Sequence, residues 1–460
     1  MLAVITLSFF VASNYWSSTE NNANNAWRQN FSDGNQNNNN KTNSNYVRCV
    51  RSLLKSKRGV GAIIVVPTPR IKKMITLQDI FEAYYQCRKN KRNTINALEF
   101  EIDYEQKLIE LHREIISGNY RIGKSIAFIV EKPVKREIFA GDFRDRIVHH
   151  LIINKFNPFF EKQFIYDSYS CRKGRGTHFG IKRAERFLRT CSRNYTQDCY
   201  ILKLDISGFF MHINKDILYQ KFKMFIKENY FHNDRDILLD LCKKVIYNNP
   251  TKNCVIKSQK SKWIGLPKSK SLFHTSANRG LPIGNFTSQV FANFYLDSFD
   301  HFIKHTLGIR HYGRYVDDFV IFHKDKEYLK NIVSVLRNFL WQKLRLKLHP
   351  KKIYLQHYSK GAVFLGVFIR PYRTVAGKRM AGNFYWKIEK WNQIILENAK
   401  MQKKFLSSIN SYLGIIRHYN SYKLRKKMLT RNLSIYFWNY AYIVGYGHYN
   451  KLALIKVNVK

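Results

Sequence analysis

Acidic side chains are scarce in this 460-residue chain: 32 Asp plus Glu stand against 79 Lys plus Arg, a formal charge of +47 at pH 7. That imbalance is far more than solubility needs, and a polyanion is the expected partner. Paired cysteines are missing as well. Cys49, Cys87, Cys171, Cys191, Cys199, Cys242 and Cys254 form no CxxC pair and are odd in number, which argues against structural zinc and for a reducing compartment. No apolar run reaches the roughly 18 residues of a membrane span. Leu2 to Ala12 is apolar, but no basic segment precedes it as in a secretory signal, so a cytoplasmic protein with no membrane partner is expected. A hydrophobic content of 45% excludes a disordered polycation, and the length allows two or three domains with a sizeable core.

The basic residues run through the whole chain and alternate with 15% aromatics, which suits grooves that track a phosphate backbone and stack bases. One stretch departs from this texture. Residues 14 to 46 are dominated by Asn, with Trp16 and Trp27 as large apolar residues, and composition alone permits a low-complexity linker there. Ser52 to Arg70 reads as a basic connector with Gly and Pro. From Leu77 onward, Ile80, Phe81, Tyr84, Leu108, Leu111 and Ile115 recur at helical spacing and begin the packed body.

The chemistry centres on Ile309 to His323, IRHYGRYVDDFVIFH, where Asp317 and Asp318 sit between two runs of strand formers. The pattern predicts a β-hairpin with the acids at its tip. An Asp-Asp pair alone is most often a solvated turn, but two adjacent like charges can also be neutralised by an oxygen-preferring divalent cation. Other stretches carry matching signals. Tyr200 to Phe210, YILKLDISGFF, is a buried-strand pattern ending in Asp205; an acid is unfavourable inside a core and should lie at the strand end, facing a ligand or cation. Lys132 to Arg146, KPVKREIFAGDFRDR, places cations, Lys135 and Arg136 among them, beside strand and turn signals; a solvated face and a triphosphate site are both open. In Tyr169 to His178, YSCRKGRGTH, glycines among cations allow backbone and Arg172 to approach phosphates. Gly280 to Gln289, GLPIGNFTSQ, runs into a helix from Val290 to Leu296, and a second amphipathic helix is expected over Tyr328 to Leu340.

Taken in order, these stretches resemble the boxes of reverse transcriptases over about Lys132 to Pro371: the basic strand-loop, the SYxFRxGRxxH box with Cys171 in place of Phe, LDISGFF, LPxG, YVDD, Leu346 to Lys352, and Phe364-Leu365-Gly366 as a primer-grip strand. The resemblance implies an α+β right-hand polymerase with fingers over 74–199, a palm over 200–371 carrying an insertion at about 225–278, and a helical thumb over 372–460. It implies Asp205, Asp317, Asp318 and the Ile206 carbonyl as ligands of two Mg²⁺ ions, with Mn²⁺ as a substitute. It further implies Lys352 as the acid for the leaving pyrophosphate, Phe210 as a steric gate against a ribose 2′-hydroxyl, and Ile283, Gly284, Lys135, Arg136 and Arg172 around the dNTP. For Phe210 and Lys352 the plainer readings are core packing and a solvated side chain. Ile283 where most such enzymes have Gln, and Gln289 where most have Pro, match the diversity-generating retroelement branch, which implies error-prone copying at adenines for diversification of a target gene. The pattern YWSSTE, AW, NF and YVRCVR in the Asn-rich island is similar to a translated template repeat of such systems. On that reading residues 1–51 stand apart from the enzyme, 52–73 are a linker, and the working enzyme begins near Met74. Implied partners are template RNA, primer or cDNA, dNTPs and a small basic accessory protein. The rivals are a group II intron-type maturase, an RNA-dependent RNA polymerase and, from the lectin-like N-terminus, a ligand-display protein.

Overall fold

The computed structural model describes residues 74–89, 94–132, 134–445 and 447–455, together with the backbone of three strands nearer the N-terminus. The chain divides into two units, Met1–Arg70 and Ile71–Lys460. In the first, β1 (Asn14–Glu20), β2 (Asn25–Asn30) and β3 (Gln36–Asn40) form an antiparallel sheet in that order. Where composition alone suggests a linker, the Asn-rich island therefore carries paired strands, although Asn is a poor strand former. The connector over 52–73 lies outside the described residues.

The second unit opens with helices Leu77–Arg88, Ile95–Glu101 and Tyr104–Ile116, the first started by a reciprocal Thr76–Asp79 capping box. A hairpin follows, β4 (Ser125–Val130) with β5 (Arg136–Ala140), and then the long helix Phe143–Gln163, capped by Asp142. After the helix Thr177–Cys191, β6 (Tyr200–Asp205) enters the central sheet. Its order is β10 (Tyr354–His357), β6, β9 (Asp318–His323), β8 (Tyr312–Tyr315), antiparallel throughout.

Period-two alternation sends the apolar side chains of this sheet to two different cores. Leu202, Leu204, Phe319 and Ile321 join a large cluster with the helices Phe286–His301 and Lys326–Leu344. Ile201, Val320 and Phe322 join a second cluster with the helix Thr177–Cys191 and a small sheet, β11 (Ala362–Phe364), β12 (Val367–Arg370) and β13 (Arg373–Ala376). With both faces largely covered, the acids Asp205 and Asp318 fall at the ends of β6 and β9. Both expected helices are present, and longer than the sequence indicates.

Two expected boundaries do not coincide with sheet boundaries. β7 (Cys254–Ile256), within the expected insertion, pairs in parallel with β4, so this stretch extends the β4–β5 sheet. Such a pairing spans well over a hundred residues of sequence and leaves no local periodicity to read. Phe364-Leu365-Gly366 is a strand only at Phe364: Leu365 (φ 49°) and Gly366 (φ 86°) form the tight turn between β11 and β12, a two-residue loop with both φ positive. Beyond β13, the helices Lys378–Asn392, Ala399–Ile416 and Tyr422–Lys427 and the hairpin β14 (Ala441–Ile443)–β15 (Leu452–Leu454) enclose a core of their own around Phe405, Ile409, Leu413 and Phe437. Helices and mainly antiparallel sheets in separate layers make this an α+β fold.

Candidate active site

Asp205 ends β6 and is the register partner of Asp318, the first residue of β9. Neighbouring strands lie about 4.8 Å apart, so these two acids, more than a hundred residues apart in sequence, are neighbours. Asp317 occupies the hairpin tip beside Val316, whose φ of 57° is unusual for a β-branched residue. The Asp317 carbonyl accepts a hydrogen bond from the Ile206 amide at 3.2 Å, joining the tip to the end of β6. The Asp205 carbonyl accepts from the His349 amide at 2.8 Å, and Ser207 N–H donates to the Lys347 carbonyl at 2.9 Å, which brings Leu346 to Lys352 alongside. The backbone thus brings the three acids to the end of one sheet.

The side chains add a feature that was not expected. Lys352 Nζ lies 2.9 Å from Asp205 Oδ2, and Lys203 Nζ lies 3.4 Å from Asp318 Oδ2. Among the described residues no three His, Cys, Asp or Glu side chains are gathered tightly enough to hold a metal ion. The acids share a floor, but two of the three carboxylates are turned to ammonium groups. The compensation is incomplete. Burial, and next the charge of Asp205, push Asp317 up to about 6, against the pull of Lys352 and Arg136. Burial likewise holds Asp318 at about 6, with Lys203 opposing it and Asp317 adding to it. Asp318 Oδ1 is buried with no hydrogen-bond partner. A buried, orphaned carboxylate oxygen beside two further acids is the kind of donor a hard cation takes, so in residue type, though not in the side-chain placement seen here, Asp205, Asp317 and Asp318 fit a divalent metal.

The residues expected around a nucleotide do not all face one space. Phe210 and Ile283 come together, both partly buried against Ala127, Phe139, Met211 and Leu272. Gly284 has a φ of 127°, and a Cβ there would come within 2.9 Å of the Phe139 carbonyl oxygen and the Ile138 side chain. It is thus required by the close approach of β5, whose Phe139 amide donates to the Ile283 carbonyl at 2.8 Å. Arg136 is exposed at the start of β5, within electrostatic reach of Asp317. Lys135 donates to the Ile264 carbonyl at 2.7 Å. Ile206 is 1% exposed.

Arg172 corrects the sequence reading. Its side chain is buried and points inward: Nε and Nη2 donate to Glu161, and Nη1 to the carbonyls of Ile165 and Ser168. A buried guanidinium with every nitrogen engaged by the protein shapes its own loop, and its charge is already met by Glu161.

Three features went unread in the sequence. Lys203 stands two residues before Asp205, on the same face of β6 by strand period, and that spacing could have found it. Glu137, 1% exposed, accepts from Trp263 Nε1 (2.7 Å), Ser271 Oγ (2.8 Å) and the Leu272 amide (2.6 Å), fastening the stretch after β7 to β5. Its signal is only an acid in an apolar strand. Beneath the YVDD hairpin, Arg314 and Asp300 form a fully buried ion pair at 2.5 Å.

Among curated proteins, the chain is 24% identical over 290 residues to Protein YkfC of Escherichia coli (strain K12), covering 56% of this chain and 69% of that one. It is 29% identical over 86 residues to Nuclear intron maturase 1, mitochondrial, of Arabidopsis thaliana, covering 19% and 11%. Among solved structures, telomerase from Candida albicans in complex with a telomeric RNA fragment matches at 11% identity and a TM-score of 0.41, covering 73% of this chain and 62% of that one. Apo telomerase from Candida tropicalis matches at 11% identity and a TM-score of 0.43, covering 71% and 63%. The chain thus spans less than two thirds of either telomerase. Residues 135–369, half of the sequence and the part that holds β5, the central sheet and Asp205, Asp317 and Asp318, match the family described as reverse transcriptase (RNA-dependent DNA polymerase), and the chain belongs to that family.

Proposed function

We propose that this protein copies a template RNA into cDNA by adding deoxynucleoside monophosphates to a primer 3′-end, with release of pyrophosphate. The observation that carries the reading is the register of β6 on β9, which pairs Asp205 with Asp318 and leaves Asp317 at the adjoining tip. Asp205, Asp317, Asp318 and the Ile206 carbonyl would hold magnesium ions, or manganese in their place, and such ions supply charge neutralisation at the attacking 3′-oxygen and the leaving pyrophosphate. The residues of this chain supply the rest. Lys352, half exposed beside Asp205, is placed to give a proton to the leaving group. Arg136 offers a cation to the triphosphate. Phe210, backed by the apolar cluster it shares with Ile283, would collide with a ribose 2′-hydroxyl. A cavity of about 610 Å³ lined by Gly284, Phe286, Phe128, Arg146 and Lys257 offers stacking and cationic surfaces for template nucleotides.

The finer proposal is membership of the diversity-generating branch, with error-prone copying at adenines. It is supported by Ile283, which makes none of the polar contacts Gln would make beside a base. Support also comes from Gln289, whose Oε1 accepts from Cys171 Sγ at 3.0 Å, so that two departures from the commoner boxes touch each other. The domain assignment, residues 74–199 as fingers, 200–371 as palm and 372–460 as thumb, belongs to the same proposal, as does a small basic accessory protein. Primer extension on primed poly(rA) tests the activity: dNTPs should be used and NTPs rejected, with Phe210→Ala admitting NTPs. Sequencing cDNA made from a mixed template tests the branch, since errors should concentrate opposite adenine and fall in Ile283→Gln; an even error spectrum sinks it. A splicing role is the second reading, consistent with the short likeness to an intron maturase, and excision of a flanking intron would reveal it.

A further inference from the structure

Arg314 lies one residue outside the YVDD box and is 0% exposed, the largest fully buried side chain among the described residues. Every nitrogen of its guanidinium is engaged. Nε donates to Asp300 Oδ1 at 2.7 Å and Nη2 to Asp300 Oδ2 at 2.5 Å, a bidentate pair. Nη1 donates to the Val316 carbonyl at 2.9 Å and to Asn293 Oδ1 at 3.3 Å; Nη2 also reaches Ser168 Oγ at 3.3 Å and the Asn293 carbonyl at 3.4 Å. Asp300 is itself fixed by the Tyr312 hydroxyl at 2.5 Å.

Three parts of the site therefore meet on one cation. The Val316 carbonyl belongs to the hairpin tip, where a β-branched residue is held in the left-handed region, a conformation that persists only when its surroundings over-determine it. Asn293 belongs to the helix Phe286–His301, which leads out of the GLPIGNFTSQ box, and its Nδ2 donates to the Ser170 carbonyl at 2.6 Å. Ser168 and Ser170 bracket Tyr169, whose amide donates to the Arg314 carbonyl at 3.0 Å and whose hydroxyl lies against Gly313, where any Cβ would overlap it.

We infer that Arg314, oriented by Asp300, is a positioning residue for nucleotide addition: by holding the Val316 carbonyl it fixes the tip that presents Asp317, and it ties that tip to the helix and loop beside it. The inference rests on the polymerase reading above, and dNTP incorporation by the unaltered full chain establishes that reading independently. Donating bidentately to a carboxylate while also donating to a carbonyl on another side is something the planar fork of Arg can do and Lys cannot. A displacement of about 1 Å in a reacting assembly costs roughly a hundredfold in rate.

The test compares Arg314→Lys, which keeps a cation beside Asp300, with the paired change Arg314→Met/Asp300→Leu, which removes both charges and leaves neither unpaired. Pre-steady-state incorporation of one dNTP separates burst rate from burst amplitude. Primer-template affinity and thermal melting are measured on the same samples. The expected result is a burst rate lower by about a hundredfold in both variants, with burst amplitude, dNTP KM, primer-template affinity and a cooperative melt preserved in at least one. A burst rate within threefold of the unaltered chain in either folded variant overturns the inference. So does a loss confined to amplitude, or failure of both variants to fold, since each of those assigns the pair to stability alone.

Discussion

The two sides of the YVDD hairpin carry charge in opposite ways. Above the tip, Asp317 and Asp318 are both pushed up to about 6, mainly by burial, Asp318 Oδ1 has no hydrogen-bond partner, and the nearest cations, Lys203 and Lys352, leave the site short of positive charge. Beneath it, one residue before the box, Arg314 and Asp300 are wholly buried and fully bonded. An under-compensated cluster is a poor stabiliser and a good site, because it leaves part of its electrostatic demand for a ligand. A satisfied buried pair contributes little net stability over an apolar replacement, but is costly to break. Changing the acids above should therefore cost activity with little stability, whereas breaking the pair beneath should cost stability as well as rate.

The largest effect tests the upper side. Asp317→Asn or Asp318→Asn should lower primer extension by on the order of a thousandfold or more, about 4 kcal/mol of barrier at 1.36 kcal/mol per decade. Melting in metal-free buffer should stay level or rise, since one of two repelling buried carboxylates is gone. If melting falls steeply in parallel with activity, the contrast between the two sides breaks.

On the lower side the expectation inverts. Asp300→Ala leaves Arg314 buried without its counter-charge, and urea or guanidinium unfolding should show a loss of about 3–5 kcal/mol. Next in size is Lys352→Gln. The Lys352 side chain is 47% exposed, so its ion pair with Asp205 should change stability by less than about 0.5 kcal/mol. Its removal should nevertheless slow incorporation roughly a hundredfold if it protonates the leaving group. Equal rates with and without Lys352 would reduce it to a solvated side chain, one of the two readings its sequence position permits.

How much of this was legible follows from what sequence patterns record. The order of the boxes, Asp205 at a strand end and the acids at a hairpin tip were readable because each depends on residues within a few positions of one another. The partner of a strand was not: β7 joins β4 through a parallel pairing with no local trace. The direction of a side chain was readable only where period fixes it. Arg172 lies in a loop, between Cys171 at a φ of 54° and Gly174 at 73°, and there neither a strand nor a helix period determines whether a guanidinium points out or in. Lys203, in a strand, could have been placed; Glu137 and Arg314 stand in strands as well, but nothing local names the acceptors and donors that justify burying them.

A charge at the edge of the buried layer sharpens the comparison by lying between its extremes. His301 ends the helix that supplies Asp300, with Nε2 at 3.4 Å from Asp297 Oδ1 and 2.9 Å from the Gln163 carbonyl. The contact with Asp297, more than any other cause, lifts the imidazole to about 9 against the effect of burial. Because the folded value lies above the unfolded value of about 6.5, folding is favoured by this group fully below pH 6.5, and the contribution fades as pH rises through 9. The side chain is 36% exposed, so solvent screening keeps the effect below about 1 kcal/mol. Melting of the unaltered chain and of His301→Gln should therefore differ most near pH 6 and converge near pH 9.5. A difference that grows with pH would mean that the imidazole is neutral where it packs, and that the buried layer extends to the end of this helix.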